Sequence, residues 1–206
     1  MLDRLQSTFQ NIHIILPAIL VAIVFHELAH GFTAYLLGDP TAKNKGRLTL
    51  NPIKHIDAAG FLLFIFAGFG WAKPVPVNTS YFKNRKLGTI LVSIAGPLTN
   101  FILAIIAAFI LSLGMIQSEM VLNIISSIIF YNIVLGVFNL LPFPPLDGSK
   151  VLASLLPTKF EIMFYKYERY VYVLLLILVI TDRINAILFP AIKFAHNIIL
   201  GMFFNI

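Results

Sequence analysis

Three long runs along the chain carry very few charges: residues 12–37, 88–113 and 120–141. Each reaches the ~20 apolar residues that a helix needs to cross a ~30 Å hydrocarbon layer, so each predicts a membrane-spanning helix. Two further apolar stretches, 170–181 and 184–205, are parted only by Asp182 and Arg183, and read as two spans or as one span followed by an interfacial helix. Between the first and second runs the pattern changes. Phe61 to Trp71 is nearly all apolar but short for a helical crossing, which suits a re-entrant or interfacial element. Nearby, Leu48-Thr49-Leu50 alternates, and so does Lys73-Pro74-Val75-Pro76-Val77-Asn78, where proline and valine favour extended backbone. The region 48–79 therefore predicts a membrane-dipping loop with short β-strands. After the third run, Pro142, Pro144 and Pro145 forbid helix continuation, and a short helix is expected at about 148–156. The expected fold class is an all-α polytopic membrane protein, a bundle of about 4–6 transmembrane helices. It forms a single domain over 1–206, with a core at 12–156 and C-terminal helices at 160–206.

Composition agrees with the pattern. The chain is 59% hydrophobic and 12% charged, against ~45–50% and ~25% in soluble domains, which argues against an ordinary water-soluble enzyme. The net charge of +6 does not point to nucleic acid, because the basic residues lie between apolar runs rather than in one patch. They read as topology and contact with anionic lipid. Eight of the fifteen lysines and arginines fall in 38–87 and four in 142–169, while the segment before the first run has only Arg4. The positive-inside rule then places the N-terminus outside and both basic loops in the cytoplasm. The first run lacks a clear cleavage site and is read as a retained span. With no cysteine, disulfides, thiolate zinc sites and cysteine nucleophiles are excluded. The lack of sorting signals suits a multi-pass protein of a prokaryotic plasma membrane.

Candidate chemistry concentrates in the first run, where His26-Glu27-Leu28-Ala29-His30 matches H-E-x-x-H. Positions i and i+4 share one helix face, so both imidazoles can reach one metal ion with Glu27 beside it as a base. Chance supplies such a match in well under ~1% of chains this size. An ionisable residue at membrane depth costs roughly 2.5–3.5 kcal/mol, and three cluster here within five positions. At ~1.5 Å per residue, His30 lies roughly 10 Å from the helix end at Leu37, which submerges the pair on the cytoplasmic side. A catalytic zinc takes three protein ligands and leaves one position for water. Asp147 is the favoured third ligand, although aspartate there also suits the cap of the helix at 148–156. His55 in Asn51-Pro52-Ile53-Lys54-His55 is the rival. Asp39 and Asp57 read as loop residues, Glu119 lies on the opposite side, His13 sits about 20 Å from His26 along the helix, and His196 has no polar company. Asn100, deep in the second run, needs a hydrogen-bonding partner, either another helix or the substrate. Asn139 and His55 are candidates to hold substrate backbone or stabilise an oxyanion. Gly96 and Pro97 read as a close-packing or kink point, and Trp71 as an interfacial anchor.

His26-Glu27-x-x-His30 in an apolar helix, Gly96-Pro97-Leu98-Thr99-Asn100 in the next, and Asn139-x-x-Pro142 leading to Asp147-Gly148 together resemble the site-2 protease family of intramembrane zinc metalloproteases. Asn51-Pro52-x-x-His55-Ile56-Asp57 and Gly70-Trp71-Ala72-Lys73-Pro74-Val75-Pro76-Val77-Asn78 resemble its compact microbial branch, without PDZ or CBS domains. The resemblance implies His26, His30 and Asp147 as ligands of one Zn2+ per chain and Glu27 as the catalytic glutamate. It also implies substrates that are single-span membrane proteins or signal-peptide remnants, cut near the cytoplasmic side in regulated intramembrane proteolysis. A metal-ion transporter is the rival reading: it explains buried ligands but not a glutamate between them. A zinc-dependent membrane chaperone is a third.

Overall fold

The first apolar run forms one long helix, α1 (Leu2–Leu36), which begins at Leu2 rather than at Ile12 as hydropathy alone suggests. The computed structural model describes residues 2–67 and 70–204, and every named element among them is helical. After α1 come α2 (Thr41–Asn44), α3 (Ala58–Ala67), α4 (Arg85–Ser112), α5 (Glu119–Leu140), α6 (Asp147–Leu155), α7 (Thr158–Ile180) and α8 (Asn185–Gly201). The second and third runs thus become α4 and α5. Asn84 caps α4 by accepting the Leu87 N–H at 3.1 Å. The prolines after Leu141 end α5 where expected, and α6 starts at Asp147.

Among the described residues three helices are long and apolar enough to cross a membrane: Asn11–Leu36 of α1, α4 and α5. α7 and α8 meet at a bend of 78° and add a fourth crossing only if the pair is one broken span. Three or four candidate spans among the described residues thus meet the low end of the expected four to six. The first turns of α7 carry Lys159, Glu161, Lys166, Glu168 and Arg169, so its uncharged part from Tyr170 to Ile180 measures only ~17 Å. At the bend Asp182 adopts φ 56°, a left-handed conformation that aspartate tolerates.

The region 48–79 also differs from expectation, since no named strand occurs there among the described residues. It holds α3, two single 3-10 turns at Pro52–Lys54 and Thr79–Tyr81, and one isolated antiparallel bridge, Ile56 with Ala72. Two causes are visible. Pro74 and Pro76 bring no N–H to a ladder. Four of the remaining polar backbone groups of 73–78 are taken by the side chains of Arg47, Glu27 and Asp39. α3 is ~15 Å long, about half a hydrocarbon layer. The chain returns tightly against it: a Cβ on Gly60 would lie 2.2 Å from the Trp71 carbonyl oxygen.

α1, α4 and α5 pack together, α6 rests on α4, and α8 rests on α5. The core is Ala104, Ala107 and Ala108 of α4 against Ile129, Ile133 and Val137 of α5, with Leu188 and Ile199 of α8 behind. Small residues let apolar helices approach closely where no water drives them together. That close approach brings α4 against the histidine face of α1.

Candidate metal centre

α1 places His26 and His30 one turn apart on its face toward α4, and the start of α6 brings Asp147 to them from the far end of the fold. His26 Nε2 lies 3.0 Å from His30 Nε2, and Asp147 Oδ2 lies 3.1 Å from the first and 2.9 Å from the second. All three residues are buried, and they are the one such cluster among the described residues. Asp147 does not cap α6; its second oxygen, Oδ1, accepts from Lys150 Nζ at 3.0 Å. Burial opposes ionisation of Asp147, and the Lys150 ammonium beside it favours the charged carboxylate.

The opposite edge of each imidazole fixes its tautomer. His30 Nδ1 lies 2.6 Å from the Val92 carbonyl, which can only accept, so Nδ1 carries the proton. His26 Nδ1 lies 2.6 Å from Asn100 Oδ1. The Asn100 amide nitrogen donates to Ala22 O at 3.0 Å and to Asn132 Oδ1 at 2.9 Å, so its oxygen is the side left to accept. Both neutral rings then turn a bare Nε2 lone pair toward the Asp147 carboxylate. Three acceptors within 3.1 Å, with no donor between them, call for a cation. Tetrahedral zinc with bonds of ~2.0–2.1 Å spaces its ligand atoms ~3.3 Å apart, so the set needs to open by only a few tenths of an ångström. Second hydrogen bonds of this kind orient metal-binding imidazoles. Space for the rings comes from Gly96, where a Cβ would fall 2.5 Å from His30 Nε2 and 2.7 Å from His26 Cε1. Gly148 lets the ligand-bearing turn form, since a Cβ there would meet the Leu140 carbonyl oxygen at 2.2 Å.

Lys150 holds the Asp147 oxygen that does not face the histidines, so exchanging it for methionine is expected to weaken zinc binding ~10–100-fold. Competition with a chromophoric chelator reads this directly, and unchanged helix content would separate it from misfolding.

A cavity of about 400 Å³ opens beside the cluster, lined among others by Glu27, Val75, Val77, Asn139 and Lys150. Glu27 Oε2 accepts the Val75 N–H at 2.7 Å. Asn139 faces this cavity while its amide nitrogen donates back to Leu135 O at 3.0 Å. The other candidates lie elsewhere. Asn100 is fully buried behind His26, and its amide is spent on α1 and α5, which gives it the interhelical role rather than a substrate-facing one. His55 is fully buried outside both cluster and cavity, with Nε2 donating to Thr49 O at 2.8 Å. His13 and Glu119 are exposed. Asp39 is a buried hub that accepts from the Thr41 backbone and hydroxyl and from the Asn78 N–H, and these bonds outweigh burial in lowering its pKa.

Sequence reasoning passed over Asn132, Arg47 and Lys150. Asn132 was visible as a lone amide within an apolar run. Arg47 carried no local signal, because its partners are distant backbone carbonyls, whereas Lys150 stands three residues after Asp147 on one helix face, a spacing that pairs opposite charges.

The family model of peptidase family M50 matches this chain over residues 14–121 and 112–181. The chain is 42% identical over 193 residues to a Bacillus subtilis protein named "Putative zinc metalloprotease YwhC", covering 90% of this chain and 88% of that one. It is 29% identical to "Putative zinc metalloprotease Rip2" of Mycolicibacterium smegmatis, over 81% of this chain and 66% of the relative. With "Zinc metalloprotease MJ0392" of Methanocaldococcus jannaschii it shares 28% identity, over 68% of this chain and 33% of the relative. No solved structure matches.

Proposed function

Because the chain belongs to peptidase family M50, the site-2 protease family, and is a zinc metallopeptidase with membrane helices, we propose that it cuts peptide bonds within the membrane. The observation that carries this reading is the trio of facing acceptor atoms, set on an apolar helix with Glu27 between the two histidines. His26, His30 and Asp147 would hold one zinc ion per chain. When bound, the metal lowers the pKa of a water toward ~7 and polarises a carbonyl. Glu27 takes a proton from the attacking water and returns it to the departing amine as the C–N bond breaks. Asn139, beside the ligand-bearing turn, holds the substrate backbone or the developing oxyanion. Pro74, Val75 and Val77 of the extended segment line the same cavity, where the locally unwound substrate packs against them.

His26 and His30 lie ~15 and ~9 Å from the end of α1 at Leu36, below the headgroups on the side where the basic loops emerge. In a multi-pass plasma-membrane protein with its N-terminus outside, that side is the cytoplasmic one. Substrates are accordingly single-span membrane proteins or signal-peptide remnants cut near their cytoplasmic ends, in regulated proteolysis of membrane-anchored proteins.

The test uses purified protein in lipid nanodiscs with a fluorogenic transmembrane peptide. Cleavage is expected, is abolished by chelation and returns on adding one equivalent of zinc. No cleavage of any peptide, together with zinc flux into liposomes containing the protein, would transfer the site to the transporter reading.

A further inference from the structure

We infer that Arg47 is a positioning residue for Glu27: by gripping the segment 73–78 it presents the Val75 amide to one oxygen of the Glu27 carboxylate and fixes how the other oxygen meets the water. This rests on Glu27 being the base. Residues 74–76 read Pro-Val-Pro, and proline has no N–H, so Val75 supplies the single amide hydrogen of that stretch. It is spent on Glu27 Oε2 at 2.7 Å. A carboxylate accepting from a backbone N–H makes a charge-assisted bond, shorter and stronger than a neutral one. Oε1 is then the oxygen left to take a proton, and among the described residues it has no partner.

Arg47 sets the amide's place. Its Nη2 donates to Lys73 O at 2.7 Å and its Nη1 to Pro74 O at 3.2 Å, so one rigid fork holds the two carbonyls immediately before Val75. The side chain is 7% exposed and pairs with no carboxylate among the described residues. A buried guanidinium without a counter-ion is costly, and the fork on these carbonyls is the arrangement that offsets the cost. The segment is anchored at both ends as well: Lys73 N–H donates to His55 O at 2.9 Å, and Asn78 N–H to Asp39 Oδ2 at 2.6 Å. It sits directly on the metal-site helix at Gly31, where a Cβ would lie 2.9 Å from Val75 Cγ1. A strap so fixed holds a carboxylate in one direction, and misplacing a catalytic group by ~1 Å can cost ~10²-fold.

The experiment compares wild type, Arg47→Met and Arg47→Lys in nanodiscs for kcat, KM, zinc content and amide exchange of the peptide covering 73–78. Arg47→Met is expected to lower kcat ~10²-fold with KM within about threefold and one zinc retained, while exchange at Val75 accelerates. Arg47→Lys, which keeps a donor for these carbonyls, is expected to recover part of kcat. A raised KM with unchanged kcat would show that the strap serves substrate alone; a raised kcat would show that it plugs the site; either overturns the inference, as does unchanged exchange at Val75. If neither variant folds, exchange at Val75 in Glu27→Ala decides, since it must exceed that of wild type. Full activity in Glu27→Gln would instead remove the base assignment itself, whatever Arg47 does.

Discussion

Replacing Glu27 by glutamine is expected to lower cleavage of a transmembrane peptide ~10²–10⁴-fold while bound zinc stays at its wild-type level. The argument is one of retained geometry and lost basicity. Glutamine matches glutamate in shape, and its carbonyl oxygen still accepts the Val75 N–H, so the strap stays seated. The donor atoms of His26, His30 and Asp147 do not touch the changed group and remain anchored through Val92, Asn100 and Lys150. Only the capacity to accept a proton disappears. Kinetics in nanodiscs, paired with zinc determination on the same sample, separate the two quantities. A variant that cleaves at the wild-type rate would show that Glu27 takes no part in proton transfer. One that loses zinc along with activity would make Glu27 a structural member of the metal site.

The sequence made the histidine-bearing helix plain because everything needed for it is local. Two histidines four apart inside an apolar run are a geometric statement about one face of one helix, and α1 delivers it. The boundaries of α4, α5 and α6 were legible to within three residues, since charges before residue 88 and a proline cluster after Leu141 punctuate them. Asp147 required a step across 117 positions of chain from His30, supplied by counting ligands rather than by pattern. The loop between α1 and α4 was misread for a related reason. Alternation in 73–78 announces extended backbone correctly but says nothing about what satisfies its polar groups. Here Arg47, Glu27 and Asp39 do so in place of a neighbouring strand. The same blindness hid Asn132: its partner Asn100 lies on another helix, and only the packing of α4 on α5 joins them. The count of spans meets only the low end of the expectation because the uncharged tail of α7 is short and α8 turns away from it at 78°.

Gly96→Ala is expected to dismantle the metal site with little loss of fold. Val92, Gly96 and Asn100 follow one another four apart on α4, so that face offers the histidines a carbonyl, a gap and an amide in succession. The new methyl would lie 2.5 Å from His30 Nε2 and 2.7 Å from His26 Cε1, inside contact with both rings at their metal-binding edges. Neither ring can swing aside freely, since each is tethered at Nδ1 by a 2.6 Å bond to that same helix. Relief therefore costs one tether or separates α1 from α4, and either disperses the three donor atoms. Zinc affinity should fall at least ~10–100-fold, the usual effect of disturbing groups that orient ligands, and cleavage should fall with it. Overpacking by itself costs ~1–3 kcal/mol, so the protein should still fold. Gly88→Ala supplies the comparison on the same helix: its methyl would meet the Phe82 ring at 2.4 Å, far from the donors. That variant should lose stability of the same order yet bind zinc as wild type does. Wild-type zinc affinity in Gly96→Ala would mean that the rings have room this packing denies them, and that α4 does not form the back wall of the site.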